Sequence, residues 1–489
     1  MKILFVASEV APFAKTGGLA DVTGSLPRAL ARMGHQVAII LPLHRMVRQR
    51  GFPPTDTGLR LTVAMGRQRE VCGVRQLDHE GVRVWFIDRP ELFERNGLYG
   101  EAGVDYPDNA QRYGFFCRAV LEALPRLGFQ PELIHVHDWQ TGLIPLLLAT
   151  ELHSTPFYRS IASLLTIHNL AYQGLFEPEV LPLLGLPEEL FHPEGIEFYG
   201  KLSFLKAGIF FADRITTVSP TYCQEILTPE SGCGFEGILR SRQKRLSGIL
   251  NGIDPEDWNP AADSAVPYPY AADSLDGKAL CKRRLQRELG LPQQAGTPLL
   301  AMVTRIDRQK GIDLVLDAWP RLARRPVQLA LLGSGDRALS ARLQALAAAD
   351  PDRVAIRLGF DDALARRIYA GADLFLMPSR FEPCGLGQLI ALRYGAVPLV
   401  RSTGGLADTI FDIDSRPQTG NGFCFEQPTS QALLQAVDRA LARFGERTAW
   451  RRLVAVCMRQ DYSWRRSASR YLDLYLQTLE EHRERTGKR

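Results

Sequence analysis

The sequence lacks most of the signals that settle a protein's class at a glance. No apolar run reaches the ~18 residues of a membrane-crossing helix, so no membrane association is expected. The eight cysteines are scattered without CxxC spacing, and several lie in apolar runs. That argues against a zinc ribbon or a disulfide framework and suits reduced thiols in a reducing compartment. Neither sign of charge dominates: 59 Lys and Arg against 54 Asp and Glu leave a net charge of +5. The basic runs Lys282-Arg283-Arg284 and Arg366-Arg367 are short, lie in helical patterns and are expected to face solvent. With no ribonucleoprotein motif either, no nucleic-acid partner is expected. A dinucleotide fingerprint is also missing, because Gly333-Ser334-Gly335-Asp336 lacks the third glycine, so a nicotinamide oxidoreductase is poorly supported. The strand pattern starts at Lys2 and leaves no room for a signal or transit peptide, and a cytoplasmic location is expected.

What the chain does have is a strand–helix rhythm. Its 489 residues exceed one ordinary domain and fit two of about 200–250 residues. Apolar runs such as Ile3-Leu4-Phe5-Val6-Ala7 read as buried parallel strands, and most are followed by a polar or glycine-rich turn and a helical pattern. This predicts an α/β protein with two Rossmann-like, doubly wound domains facing across a cleft. The boundaries expected are 1–255, 256–462 and a C-terminal helix over 463–489, with a linker near the Pro-, Ala-, Asp- and Tyr-rich stretch 259–276. That last helix should bury one face, with Trp464, Tyr471, Leu474 and Tyr475 along it.

Residues able to carry chemistry cluster at the strand exits. Lys15-Thr16-Gly17-Gly18-Leu19-Ala20-Asp21 joins the first strand to the first helix, and its glycines and lysine suit a phosphate. A tight turn beside a solvated lysine is the plain alternative. Thr16 to Asp21 recurs letter for letter as Thr403 to Asp408, again after an apolar run, which suggests two similar halves with a glycine turn in each. Arg305 and Lys310 share one exit loop, suited to a diphosphate unless they are ordinary surface cations. Glu382 opens another exit and suits sugar hydroxyls or, alternatively, a helix dipole. Asp138 and His168 each end a core strand and suit a polyol, though a satisfied half-buried histidine is an equal reading of His168. Asp412-Ile413-Asp414 has the spacing of a metal-holding DxD but reads better as solvated acids.

Together these stretches resemble one family, the bacterial glycogen synthases and plant starch synthases. The matching pieces are KTGGLADV (15–22), HVHDW (135–139), TIHNLAYQG (166–174), FLKAG (204–208), TVSPTY (217–222), LNGID (250–254), RIDRQKG (305–311), SRFEPCGLGQL (379–389) and STGGLADT (402–409). The resemblance implies a retaining GT-B glycosyltransferase that moves glucose from ADP-glucose to the non-reducing 4-hydroxyl of an α-1,4-glucan such as glycogen. It implies Lys15 and Gly18 at the sugar nucleotide and Arg305 and Lys310 on the diphosphate. Glu382, with Cys384, Gly385 and Leu386, is implied at the sugar and phosphates. Asp138, Asn251 and His168 would line the glucose pocket, Tyr99 and Asp21 would add contacts, and Phe360 would stack on adenine. The resemblance also implies an acceptor side in the N-terminal domain, a final helix packing back on that domain, and no metal or cofactor. Gly387 stands where bacterial members often have Thr, and Phe360 where some have Tyr, so fine donor contacts differ. Alternatives are a related ADP- or UDP-sugar transferase with another acceptor, or a non-catalytic glucan-binding protein.

Overall fold

In the computed structural model, which describes residues 1–101 and 103–487, the chain divides into two compact units. The first holds Met1–Val218, Cys223–Ile249 and the C-terminal stretch from Trp464; the second holds Ser219–Tyr222 and Leu250–Ser463.

The first unit is built on a nine-stranded sheet. Seven strands are parallel, in the order Leu246–Gly248, Arg214–Thr217, Ala162–Ile167, Leu133–His137, Lys2–Val6, Gln36–Pro42 and Val82–Asp88. The long hairpin Thr55–Met65 and Gln68–His79 extends the sheet antiparallel beyond them. Ile3 to Val6 are fully buried, as expected of a strand covered on both faces. Helix Gly18–Arg32 buries Leu19, Val22, Leu26 and Leu30, one stripe at helical spacing. Helix Trp464–Gly487 packs in this unit against helix Gly18–Arg32 and strand Ala162–Ile167, with Trp464, Tyr471, Leu474 and Tyr475 buried.

The second unit holds six parallel strands. Their order is Val354–Leu358, Gln328–Gly333, Leu299–Val303, Leu374–Met377, Val397–Arg401 and Phe423–Phe425. In chain order within the sheet this runs 3-2-1-4-5-6, the Rossmann arrangement. Each parallel sheet reverses its winding once. In the first unit the reversal falls between Lys2–Val6 and Leu133–His137, and in the second between Leu299–Val303 and Leu374–Met377. Ligands of doubly wound sheets bind at such switch points, beyond the carboxyl ends of the strands.

Two expectations differ from the structure. The stretch 259–276 is no linker: it lies inside the second unit, where Val266 and Tyr270 are buried and the Tyr270 hydroxyl donates to the Tyr394 carbonyl at 2.8 Å. Composition gave the wrong answer because this non-repetitive segment still supplies large side chains to a core. Lys282, expected to face solvent, is buried and paired with Asp373 at 2.6 Å, its stem following the apolar face of its helix.

Candidate active site

At the first unit's switch point, the loop after Lys2–Val6 is organised by a buried carboxylate. Glu9 is 3% exposed and accepts from the Thr16 hydroxyl at 2.6 Å, from the Gly17 N–H at 3.3 Å and from the Thr16 N–H. It also accepts from the Tyr99 hydroxyl at 2.5 Å, and that oxygen lies 2.7 Å from the Ser8 hydroxyl. Four donors converge on one carboxylate, which fixes the turn leading into helix Gly18–Arg32. Burial, with Glu9 alongside, pushes the Tyr99 phenol well above its usual range, so it stays a donor. The turn is presented outward: Gly18 is exposed, and a Cβ added at Gly17 would meet no atom within 4 Å. Lys15 pairs with Asp21 at 2.6 Å.

Across the same switch point, Asp138 follows Leu133–His137 with φ +54°, a left-handed backbone that is rare outside glycine and asparagine. Its carboxylate accepts from the His168 N–H at 2.7 Å, which ties the exits of two neighbouring strands together. Burial raises the Asp138 carboxyl to about 7 and lowers the His168 imidazole to about 3. Near neutral pH, His168 is therefore uncharged and Asp138 is poised between its two forms. A neutral imidazole and a carboxyl group offer donors and acceptors without the cost of a second buried charge.

In the second unit, the exits of Leu299–Val303 and Leu374–Met377 carry the expected cations and acid. Lys310 reaches both oxygens of Glu382, at 2.6 and 2.8 Å, and the Ser379 hydroxyl donates to the same carboxylate at 2.9 Å. Glu382 is 5% exposed, so the pair is largely withdrawn from water. Gly311, at φ +70°, is why the two loops can approach: a Cβ there would stand 2.2 Å from the Pro378 carbonyl oxygen. Main-chain stitching holds them, with the Arg380 N–H donating to the Gln309 carbonyl at 2.7 Å and the Gln309 side chain to the Phe381 carbonyl at 3.2 Å. Arg305 is exposed and donates to Gln309 at 3.2 Å.

Asn251 is buried, and its side-chain oxygen has no hydrogen-bond partner among the described residues. Cys384 is buried too, and its thiol, raised to about 12 by burial, is kept protonated beside the Asn251 backbone. Gly385 has φ +73° and Leu386 is half-buried, both between Glu382 and helix Gly387–Arg393. Phe360 is 79% exposed and follows strand Val354–Leu358, the edge of the sheet, two strands from Leu299–Val303. Asp412 and Asp414 both bind Arg439, at 3.0 and 2.5 Å, and Asp412 also accepts from the Cys424 N–H at 2.7 Å. They brace the second unit's sheet edge.

Lys15, Gly18, Asp21 and Asp138 thus lie at the first sheet's switch point, with His168 one strand further on, and Arg305, Lys310, Glu382, Cys384, Gly385 and Leu386 lie at the second's, whereas Asn251 and Phe360 follow edge strands. The residues that sequence reasoning missed are the ones that hold others: Glu9 and Ser379. A single acid or serine at a strand exit reads as solvated, and nothing local shows that Glu9 meets a phenol 90 positions away.

The chain therefore has the architecture of a two-domain, Rossmann-type glycosyltransferase, and comparison with known proteins agrees. Residues 2–241 match the starch synthase catalytic domain family and residues 288–452 match the glycosyl transferases group 1 family. A glycogen synthase of Syntrophotalea carbinolica is 54% identical over 482 residues, covering 99% of this chain and 100% of that one. Glycogen synthase 2 of Geobacter sulfurreducens is 50% identical over 97% of this chain and 98% of its own length. Among solved structures, the catalytic domain of starch synthase IV from Arabidopsis thaliana, bound to ADP and acarbose, superposes with a TM-score of 0.91. It is 35% identical and covers 98% of this chain and 99% of that one. Sucrose-phosphate synthase from Thermosynechococcus elongatus shares the fold alone, with a TM-score of 0.60 at 19% identity, over 98% of this chain and 99% of that one. The chain belongs to the glycogen and starch synthase family of retaining glycosyltransferases.

Proposed function

We propose that this protein lengthens α-1,4-glucans, transferring glucose from ADP-glucose to a non-reducing 4-hydroxyl of glycogen with retention and release of ADP. The observation that carries this reading is the Lys310–Glu382 pair with Arg305, at the switch point of a unit whose fold matches that of a starch synthase carrying ADP and acarbose. Arg305 grips two oxygens of the diphosphate and Lys310 adds a point charge, so the negative charge that grows as ADP departs is met by fixed cations. Lys310 also orients Glu382, whose remaining lone pairs accept from sugar hydroxyls. Cys384, Gly385 and Leu386 offer backbone donors to the donor's phosphates, Asn251 offers its unpaired side-chain oxygen to the sugar, and Phe360 offers a ring face to adenine.

The first unit, for its part, offers Lys15 and the exposed turn at Gly18 to phosphate, with Asp21 steering Lys15. Tyr99 acts through Glu9 on that turn. Asp138 and His168 hydrogen-bond the glucose. In the transfer, the bond from the anomeric carbon to the ADP phosphate breaks and the bond to the acceptor O4 forms on the same face. The acceptor's proton passes to the leaving phosphate, so the products are the extended glucan and ADP. Excluding water keeps the oxocarbenium-like centre from hydrolysis. The free cysteines suit a reducing, cytoplasmic site of action.

The test is incorporation of labelled glucose into glycogen by the pure protein from ADP-glucose and, separately, UDP-glucose, with Lys15→Ala alongside. Chain growth from ADP-glucose that collapses in Lys15→Ala is expected. Donor turnover without glucan growth would redirect the acceptor, and no turnover of either donor would refute the reading.

A further inference from the structure

The proposed chemistry leaves one buried group at the first unit's switch point unused. His137, the last residue of strand Leu133–His137, is fully buried and places its Nδ1 3.0 Å from Nε2 of His168. Its own Nε2 has no hydrogen-bond partner among the described residues. The ring lies between Phe5, stacked at 5.7 Å, and His135, whose centroid is 4.2 Å away. His135 cannot serve it, because both His135 nitrogens are engaged, by the Tyr475 hydroxyl at 2.8 Å and the Thr166 hydroxyl at 2.6 Å.

Burial keeps both imidazoles neutral, so a single proton lies between His137 Nδ1 and His168 Nε2. Two arrangements suit the distance. If His168 donates from Nε2, His137 must carry its proton on its own Nε2, where a buried N–H finds no acceptor. If His137 donates from Nδ1, the interior holds only an unused lone pair. Buried N–H groups without an acceptor are the rarer defect, so the second arrangement prevails. The rings are also well fixed in place. The His137 N–H donates to the Thr141 hydroxyl at 2.7 Å and its carbonyl accepts from that hydroxyl at 2.8 Å, while Asp138 holds the His168 backbone.

We infer that His137 is a positioning residue that sets the tautomer of His168: it donates Nδ1–H to Nε2 of His168 and so confines the His168 proton to Nδ1. His168 then faces the donor sugar as a hydrogen-bond donor, a role that rests on the function proposed above. His137 touches no substrate and acts only through its neighbour.

The test has two arms. In the resting wild-type protein carrying nitrogen-15 histidine, with the His168 signals assigned by their loss in His168→Gln, NMR should show a protonated Nδ1 and a bare Nε2 on His168. A protonated Nε2 there would overturn the inference whether or not the protein makes glucan. In the kinetic arm, His137→Asn keeps an amide N–H close to the native Nδ1–H, whereas His137→Leu keeps bulk and loses the donor. With ADP-glucose and glycogen, His137→Leu should lose about tenfold in kcat with KM little changed, and His137→Asn should recover most of it. Equal loss in both variants, or a loss confined to KM, would overturn the inference. A wild type that transfers no glucose would remove the proposed function instead, and the NMR arm tells that failure from this one.

Discussion

The hexapeptide TGGLAD occurs at 16–21 and again at 403–408, each time after a parallel strand and at the opening of a helix. In the first copy the glycines face outward, with open space around Gly17 and an exposed Gly18. In the second they are buried: a Cβ at Gly404 would stand 2.0 Å from the Glu382 carbonyl oxygen, and one at Gly405 would stand 2.1 Å from that of Cys384. The aspartates part in the same way. Asp21 pairs with the half-exposed Lys15, whereas Asp408 accepts from the Thr221 N–H at 2.9 Å and its hydroxyl at 2.7 Å, inside the second unit. The first copy leaves its backbone open to solvent. The second presses against the loop that carries Glu382 and fixes it from behind. Identical sequence is thus no guide to identical surroundings, because the neighbours decide whether a missing Cβ leaves open space or admits another loop of the same protein.

That difference can be broken at several points, taken from the largest effect down. Gly405→Ala should cost about 3 kcal/mol of stability, since its Cβ meets main chain that cannot swing aside, and thermal unfolding reads it directly. Glu9→Ala should cost about 2 kcal/mol by stranding the Thr16 N–H and the Tyr99 hydroxyl, with a matching fall in glucose transfer, checked by urea titration and initial rates. Asp408→Asn should cost about 1 kcal/mol through the weakened Thr221 contacts, while Asp21→Asn, at a partly exposed ion pair, should cost ~0.5 kcal/mol or less and act on the KM for ADP-glucose. Comparing melting curves with KM for these two aspartates separates the copies again.

Much of this was legible in the sequence, for physical reasons. Buried parallel strands read as continuous apolar runs, and the turns after them hold the polar residues, so Lys15, Asp138, His168, Arg305, Lys310 and Glu382 stood out at strand exits. Sheet order put those exits at or beside the two switch points, which no local pattern encodes. What stayed hidden depends on distance along the chain. Glu9 gathers donors from residues 16, 17 and 99, and Tyr475 reaches His135 across 340 positions. The repeat was legible as a glycine turn after a strand in each half, but not that the second turn packs against the loop carrying Glu382. Residues 259–276 misled, because loop-like composition concealed Tyr270, whose ring sits in the second core.

The first TGGLAD copy is expected to work on substrate and the second on the scaffold. The most direct measurement is a paired one, Tm and ADP-glucose kinetics for Gly17→Ala and Gly405→Ala in the same buffer. Gly17→Ala should leave stability within about 0.5 kcal/mol of wild type while raising KM for ADP-glucose, and Gly405→Ala should lower Tm sharply. A Gly17→Ala protein that melts as early as Gly405→Ala, or one that melts normally and binds donor as wild type does, would contradict it.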